Sequence, residues 1–172
     1  MAIAGKAIAF VAPSGTGKTT LIEKLIAALK RRGYRVGAIK HDAHRFEIDH
    51  PGKDSHRMTA AGADTTLIAS PEKLALVRKH AAAPPVEEIV AAYFADVDIV
   101  LAERFRRSAL PRIEVHRKGR GAEPPRGGSV ADRLLVAVAS DEPLDLDVPA
   151  FGLEDVEGLA DFLEANVIRR EA

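Results

Sequence analysis

The residues best suited to chemistry lie near the start of the chain, in the segment Ala12-Pro-Ser-Gly-Thr-Gly-Lys-Thr19. Gly17, Lys18 and Thr19 match the Walker A pattern for nucleotide phosphates, whereas Ala12 stands where that pattern has its first glycine. Glycines let the backbone approach phosphate oxygens closely, and the consecutive N–H groups of such a loop surround an anion. The segment therefore predicts a phosphate-binding loop, with binding residues Ser14, Gly15, Thr16, Gly17, Lys18, Thr19 and Thr20.

Two side chains of this loop have specific predicted roles. Lys18 supplies a positive charge to the β and γ phosphates, and the Thr19 hydroxyl ligates Mg²⁺. A carboxylate is also needed near the metal, and the run from Asp98 to Glu103 offers one at each end of a predicted strand. Ligands of open parallel sheets bind at the carboxyl ends of the strands, which favours Glu103.

The elements that position these residues follow from the hydrophobic pattern. Short apolar runs predict strands, and apolar residues at helical spacing predict helices. The predicted strands are 6–12, 34–40, 65–69, 74–78, 97–102, 112–116 and 134–139, and the predicted helices are 19–32, 54–61, 86–94 and 155–168. Alternating strands and helices predict an α/β protein of three layers, a mainly parallel sheet with helices on both faces. A length of 172 residues predicts a single domain, 1–172.

Composition excludes several classes of protein. The chain has 25 basic and 25 acidic residues, and a general nucleic-acid binder is usually basic overall. No apolar run approaches the roughly 20 residues of a membrane span, and the first residues lack the pattern of a signal peptide. Cysteine is absent, which fits a reducing cytoplasm. We therefore expect a cytoplasmic protein that binds neither nucleic acid nor membrane.

With the Walker A segment, three further stretches resemble the MobB family, the molybdopterin-guanine dinucleotide biosynthesis protein B. They are Lys40-His-Asp42, Phe46-Glu-Ile-Asp-His-Pro-Gly-Lys-Asp-Ser55 and Val100-Leu-Ala-Glu103. The late Val138-Ala-Ser-Asp141 also looks like this family, so the resemblance covers almost the whole chain. One departure stands beside the proposed metal: Arg104 replaces the glycine that the family usually has after the glutamate.

The resemblance implies a GTP-binding accessory protein with weak Mg²⁺-dependent hydrolysis, as a P-loop NTPase fold allows. It implies a homodimer whose partner is MobA, the guanylyltransferase that joins GMP to the molybdenum cofactor. It also favours Asp141 as the acceptor of hydrogen bonds from guanine. For the hydrolytic step, Asp42 and Glu103 are the nearest candidates to orient water, and Lys18 neutralises charge.

Two other functions and two other clusters stay open at this stage. A small-molecule kinase that uses ATP would need an arginine-bearing lid such as 117–128, and a non-hydrolysing adaptor would let the nucleotide set a conformation for a partner. The basic stretch between Arg104 and Arg126 is equally consistent with a solvated surface and with a site for an anionic ligand. The histidines at 41, 44, 50 and 56 lie among carboxylates, but their spacing favours a polar loop over a metal site.

Overall fold

Eight strands and four helices make up the structure, a computed structural model that describes residues 5–42, 46–120 and 133–168. In chain order they are β1 (Ala7–Val11), α1 (Lys18–Arg31), β2 (Val36–Lys40), α2 (Asp54–Ala60), β3 (Thr65–Ala69), β4 (Leu74–Arg78), α3 (Val86–Tyr93), β5 (Ile99–Glu103), β6 (Arg112–His116), β7 (Leu135–Ser140), β8 (Ala150–Gly152) and α4 (Val156–Leu163). A π-helical segment, Glu164–Ile168, continues α4. Within these ranges no helix is long and apolar enough to cross a membrane.

The main sheet has six strands in the order β2-β5-β1-β6-β7-β8, and every neighbouring pair is parallel. Strands β1, β5 and β7 are buried along their whole length, as strands covered on both faces must be. Since all six strands run the same way, their carboxyl ends lie along one edge. That edge is where the candidate functional residues of the sequence are concentrated.

Helices cover both faces of this sheet, because successive side chains of a strand point in opposite directions. On one face, Ile8 and Phe10 of β1 belong to a buried cluster with residues of α1 and α4. On the other, Ala7 and Ala9 pack in a second cluster that includes Val86 of α3. The predicted three-layer α/β fold is thereby confirmed.

The chain divides into two compact units. The first comprises residues 1–41 and 86–172 and contains the six-stranded sheet. The second, residues 42–85, contains α2 and an antiparallel pair in which Thr65 of β3 is opposite Arg78 of β4. The prediction of a single domain, 1–172, stays a prediction.

Most predicted elements agree with the structure, and two differ from it. Strands β3, β4 and β6 have the predicted bounds. Strand β8 was not predicted, because it is only three residues long and its outer two are exposed, so that no apolar run marks it. The last helix was predicted as one α-helix over 155–168, whereas its final turn is π-helical.

Candidate functional site

The loop between β1 and α1 ends in a helix N-terminus with free backbone donors. Gly17 is the N-cap of α1, and its φ of 91° is in the left-handed region that glycine adopts readily. Within the described residues, the first turn of α1 has neither a capping side chain nor an acidic residue. The first N–H groups of a helix have no partners inside the helix, and the helix dipole adds positive charge there. The loop is therefore built to receive an anion.

Other loop residues fit this role. Gly15 also has a positive φ, 78°, so the loop relies on glycine twice. The hydroxyl of Thr16 donates to the carbonyl of Pro13 at 3.1 Å, which folds the loop upon itself. Ala12 packs partly buried against the core cluster, so the methyl that replaces the usual glycine is accommodated at the end of β1.

Glu103 connects the two reactive side chains of the loop. Its Oε1 lies 3.3 Å from Lys18 Nζ, and its Oε2 accepts a hydrogen bond from Thr19 Oγ1 at 3.3 Å. The side chains of Lys18 and Glu103 are only 5% and 10% exposed, so this is a nearly buried ion pair. Burying either charge without a partner is costly, and the pair therefore holds both groups at the edge of the sheet.

The backbone after Glu103 is unusual. Arg104 has a φ of 75° and is the only described residue other than glycine with a positive value. Its N–H donates to the carbonyl of Phe10 at 3.0 Å, and the N–H of Arg106 donates to its carbonyl at 2.8 Å. The chain thus keeps a left-handed turn at the position where the resemblance places a glycine. The Arg104 side chain adds positive charge, with Nε 4.0 Å from Glu103 Oε1.

The chemistry of this edge fits Mg²⁺ bound together with phosphate. A hydroxyl and a carboxylate are hard oxygen ligands, and Mg²⁺ usually takes few protein ligands while substrate phosphates and waters complete its shell. Thr19 and Glu103 would supply those two ligands. In the part of the chain that the structure describes, no three His, Asp or Glu side chains lie together as a site that could hold a metal without such help.

A second group of polar residues lies at the carboxyl ends of β6 and β7. Asp141 directly follows β7, and its Oδ1 accepts a hydrogen bond from the N–H of Lys118 at 2.8 Å. Buried His116 places Nε2 2.8 Å from Glu142 Oε1, and the imidazole together with Lys118 holds the pKa of Glu142 below its ordinary value. The sequence did not reveal this histidine–glutamate pair, because His116 ends β6 while Glu142 follows β7, and the two residues form no local motif.

Two arginines that follow β6 lie against the phosphate-binding loop. A Cβ built on Gly17 would be 3.3 Å from Arg117 Nη2, and one built on Gly15 would be 3.9 Å from Arg120 Nη1. In the sequence, both arginines belong to the basic stretch that is equally consistent with a solvated surface and with a site for an anionic ligand. The structure brings them next to the loop glycines, while residues 121–128 of the predicted lid lie outside the described residues.

The second unit contains the segment that carries the more specific part of the resemblance. Gly52 has a φ of 89°, and Lys53 is the N-cap of α2. The hydroxyl of Ser55 and the N–H of His50 lower the pKa of Asp49 by hydrogen bonding to its carboxylate. These contacts join the two sides of the turn that begins α2. Of the clustered histidines, the one at position 44 lies outside the described residues.

The predicted site residues thus fall into three places. Ser14 to Thr20 and Glu103 meet at the loop, and Asp141 lies along the same edge of the sheet. Asp42 is the first residue of the second unit, and its part in catalysis stays a prediction. The catalytic, nucleotide-binding and metal-binding roles of the other residues stay predictions as well.

Comparison with known proteins finds similar proteins over most of the chain. Residues 7–141 match the model of the family described as MobB, molybdopterin guanine dinucleotide synthesis protein B. A molybdopterin-guanine dinucleotide biosynthesis adapter protein of Escherichia coli K12 is 44% identical, over 91% of this chain and 90% of that protein. Its namesake from Haemophilus influenzae is 34% identical, over 88% and 83%.

Solved structures show the same fold. A crystal structure of a molybdopterin-guanine biosynthesis protein B superposes with a TM-score of 0.72 at 29% identity, covering 95% of this chain and 99% of the other. A MobB homologue from Bacillus stearothermophilus has a TM-score of 0.68 at 26% identity, covering 96% and 99%.

Proposed function

Since this chain belongs to the MobB family, we propose that it is a GTP-binding accessory protein in the biosynthesis of the molybdenum cofactor, molybdopterin guanine dinucleotide. The observation that carries the proposal is the contact of Glu103 with both Lys18 and Thr19 at the start of an uncapped helix. A buried cation, a hydroxyl and a carboxylate at an anion-binding loop are what a triphosphate with Mg²⁺ requires.

In this proposal the loop cradles the phosphates with its N–H groups, and Lys18 turns from Glu103 to the β and γ phosphates. Thr19 and Glu103 would hold Mg²⁺, which would neutralise charge on the phosphate oxygens. Glu103 would then be occupied as a ligand of the metal. This leaves Asp42 as the candidate for orienting water, and we expect hydrolysis to be weak.

We propose that Asp141 recognises guanine. One carboxylate oxygen accepts the N–H of Lys118, which fixes the side chain at the carboxyl end of β7. A carboxylate accepts hydrogen bonds from N1 and N2 of guanine, and adenine lacks that pair of donors. Replacement by asparagine should therefore reduce the preference for GTP over ATP, and an unchanged preference would exclude the assignment.

The proposed partners are a second copy of the chain and a MobA-type guanylyltransferase acting on molybdopterin, in the cytoplasm. The second unit exposes large apolar side chains to between 48% and 68% of their maximum. Exposed large apolar side chains are typical of surfaces that bind other proteins when they lie together in one patch. They are Phe46, Ile48, Met58, Leu67, Ile68 and Leu74. Light scattering should give the mass of a dimer, and Leu74→Glu should lower it if this surface is the interface.

The decisive measurement is titration calorimetry with GTP and with ATP, each with Mg²⁺, on the wild type and on Lys18→Ala. We expect GTP to bind more tightly than ATP and the variant to lose binding of both. Thermal unfolding of the variant is the control, because removal of Lys18 leaves Glu103 nearly buried without its partner.

Each outcome has a meaning. A preference for ATP would favour a kinase, and transfer of phosphate to a metabolite would then identify it. Binding of the guanylyltransferase that needs GTP but not its hydrolysis would identify a non-hydrolysing adaptor. Absence of binding of either nucleotide to the wild type would contradict the proposal.

A further inference from the structure

We infer that Arg117 is a further residue of the nucleotide site and that its guanidinium binds the phosphate chain. The inference rests on the proposed function, because it assigns a new residue to the same loop. Arg117 lies outside the Walker A segment, directly after the last residue of β6.

The side chain of Arg117 lies on the phosphate-binding loop. A Cβ built on Gly17 would be 3.3 Å from Arg117 Nη2 and 3.7 Å from Arg117 Cζ. The distance to Nη2 is shorter than an ordinary van der Waals contact. A Cβ at residue 17 would push the guanidinium away by a few tenths of an ångström, so the side chain lies directly against the backbone of Gly17. Gly17 is also the N-cap of α1, so the cation lies where the helix presents its free N–H groups.

One donor of the Arg117 guanidinium has no partner among the residues that the structure describes. Its Nε is buried and forms no hydrogen bond with any described residue. Lys18, by comparison, is paired with Glu103 in the same site. Arg117 helps to lower the pKa of Glu154, but the Glu154 carboxylate already forms an ion pair with Lys24. A buried donor without a partner is costly, so a ligand that supplies an acceptor is expected at this position.

The backbone holds Arg117 in place. The N–H of Lys118, the next residue, donates to Asp141 Oδ1 at 2.8 Å. The N–H of Arg120 donates to the carbonyl of Arg117 at 3.0 Å, and Gly119 between them has a φ of 71°. These contacts form a tight turn that brings a second guanidinium, that of Arg120, to 3.9 Å from a Cβ at Gly15.

The charges favour a phosphate over a nucleobase as the ligand of Arg117. The loop already provides N–H donors and the helix dipole, and both attract an anion to Gly17. A guanidinium has a planar fork of donors that matches two phosphate oxygens. A bound triphosphate therefore supplies both the missing negative charge and the missing acceptor for Nε.

Calorimetry with GTP and ATP, each with Mg²⁺, tests the inference on four full-length chains: the wild type, Arg117→Ala, Arg117→Lys and Arg31→Ala. Arg31 is the control for loss of one positive charge, since it is at the far end of α1, about 20 Å from Lys18 at 1.5 Å per residue. Thermal unfolding shows whether each variant is folded.

A hydrogen bond to a charged group is worth enough to change affinity by about tenfold or more. We expect Arg117→Ala to weaken nucleotide binding by about that factor at low salt, Arg117→Lys to recover part of it, and Arg31→Ala to bind like the wild type. Because salt screens a contact between charges, the difference between Arg117→Ala and the wild type should shrink at about 1 M salt.

The outcomes separate this inference from the proposed function. If the wild type binds nucleotide and folded Arg117→Ala binds equally well, the inference is wrong while the proposed function stands. A loss of affinity for GTP but not for ATP would assign Arg117 to the base and contradict a phosphate contact. A preference for ATP would alter the proposed nucleotide and leave the role of Arg117 intact, whereas a wild type that binds neither nucleotide would contradict both.

Discussion

Replacing Arg104 by glycine should stabilise the chain, although the substitution removes a charged side chain next to the candidate metal site. Arg104 is held at a φ of 75° by two backbone hydrogen bonds, from its own N–H to Phe10 and from Arg106 to its carbonyl. A residue with a Cβ pays a steric penalty in this region, whereas glycine adopts it readily.

The magnitude follows from comparing Arg104→Gly with Arg104→Ala. Both variants lose the same side chain, whose Nε is 4.0 Å from Glu103 at 40% exposure and contributes little. The left-handed conformation costs alanine roughly 1–2 kcal/mol, and glycine loses about 0.5–1 kcal/mol more entropy on folding. The glycine variant should therefore be more stable than the alanine variant by about 0.5–1 kcal/mol.

Thermal and urea unfolding of the wild type and both variants measure this difference. For a chain of this size about 1 kcal/mol changes the Tm by roughly 2–4 °C, so the two variants should differ by about 1–4 °C. An alanine variant at least as stable as the glycine variant would refute the reasoning, because the strain at residue 104 would then not exceed the extra entropy that glycine loses on folding.

Three other predictions concern packing and charge. The contact with His116 lowers the pKa of Glu142, and protonation of Glu142 ends that contact. The free energy of unfolding should therefore fall as the pH falls below the ordinary pKa of glutamate. Thermal melts from about pH 6 to about pH 3 should show a weaker dependence in Glu142→Gln. Gly37→Ala should destabilise by about 1–3 kcal/mol in urea unfolding, since its Cβ would overlap the ring of Phe94. Asp155→Ala should cost about 1 kcal/mol, measured in the same way, because this carboxylate caps the first turn of α4.

The strands and the phosphate-binding loop were predictable from the sequence because both are local patterns. Burial on both faces produces an unbroken apolar run, as in β1 and β5, and a loop that binds phosphate needs glycines at fixed spacing. Glu103 was identified for a related reason, since the carboxyl end of a parallel strand can be read from the strand itself.

The remaining features depend on contacts between distant segments. The position of Arg117 over Gly17 joins residues 100 apart in sequence, and composition showed only a basic stretch. The pairing of His116 with Glu142 requires β6 and β7 to be neighbours, which no local pattern states. The left-handed turn at Arg104 was hidden for another reason, because arginine gives no signal of positive φ.

The order of the strands has a consequence for how the chain folds. Strand β1 is the third strand of the sheet, and its neighbours β5 and β6 follow it by about 90 residues or more, with Ala7 opposite Val100. Contacts between distant residues slow folding, because a long segment must lose its freedom before they form. At a synthesis rate of about 5–20 residues per second, β5 is made about 5–20 s after β1 and the loop that follows it. The loop after β1 is thus made well before Glu103, and its contacts with Glu103 can form only after that residue has left the ribosome.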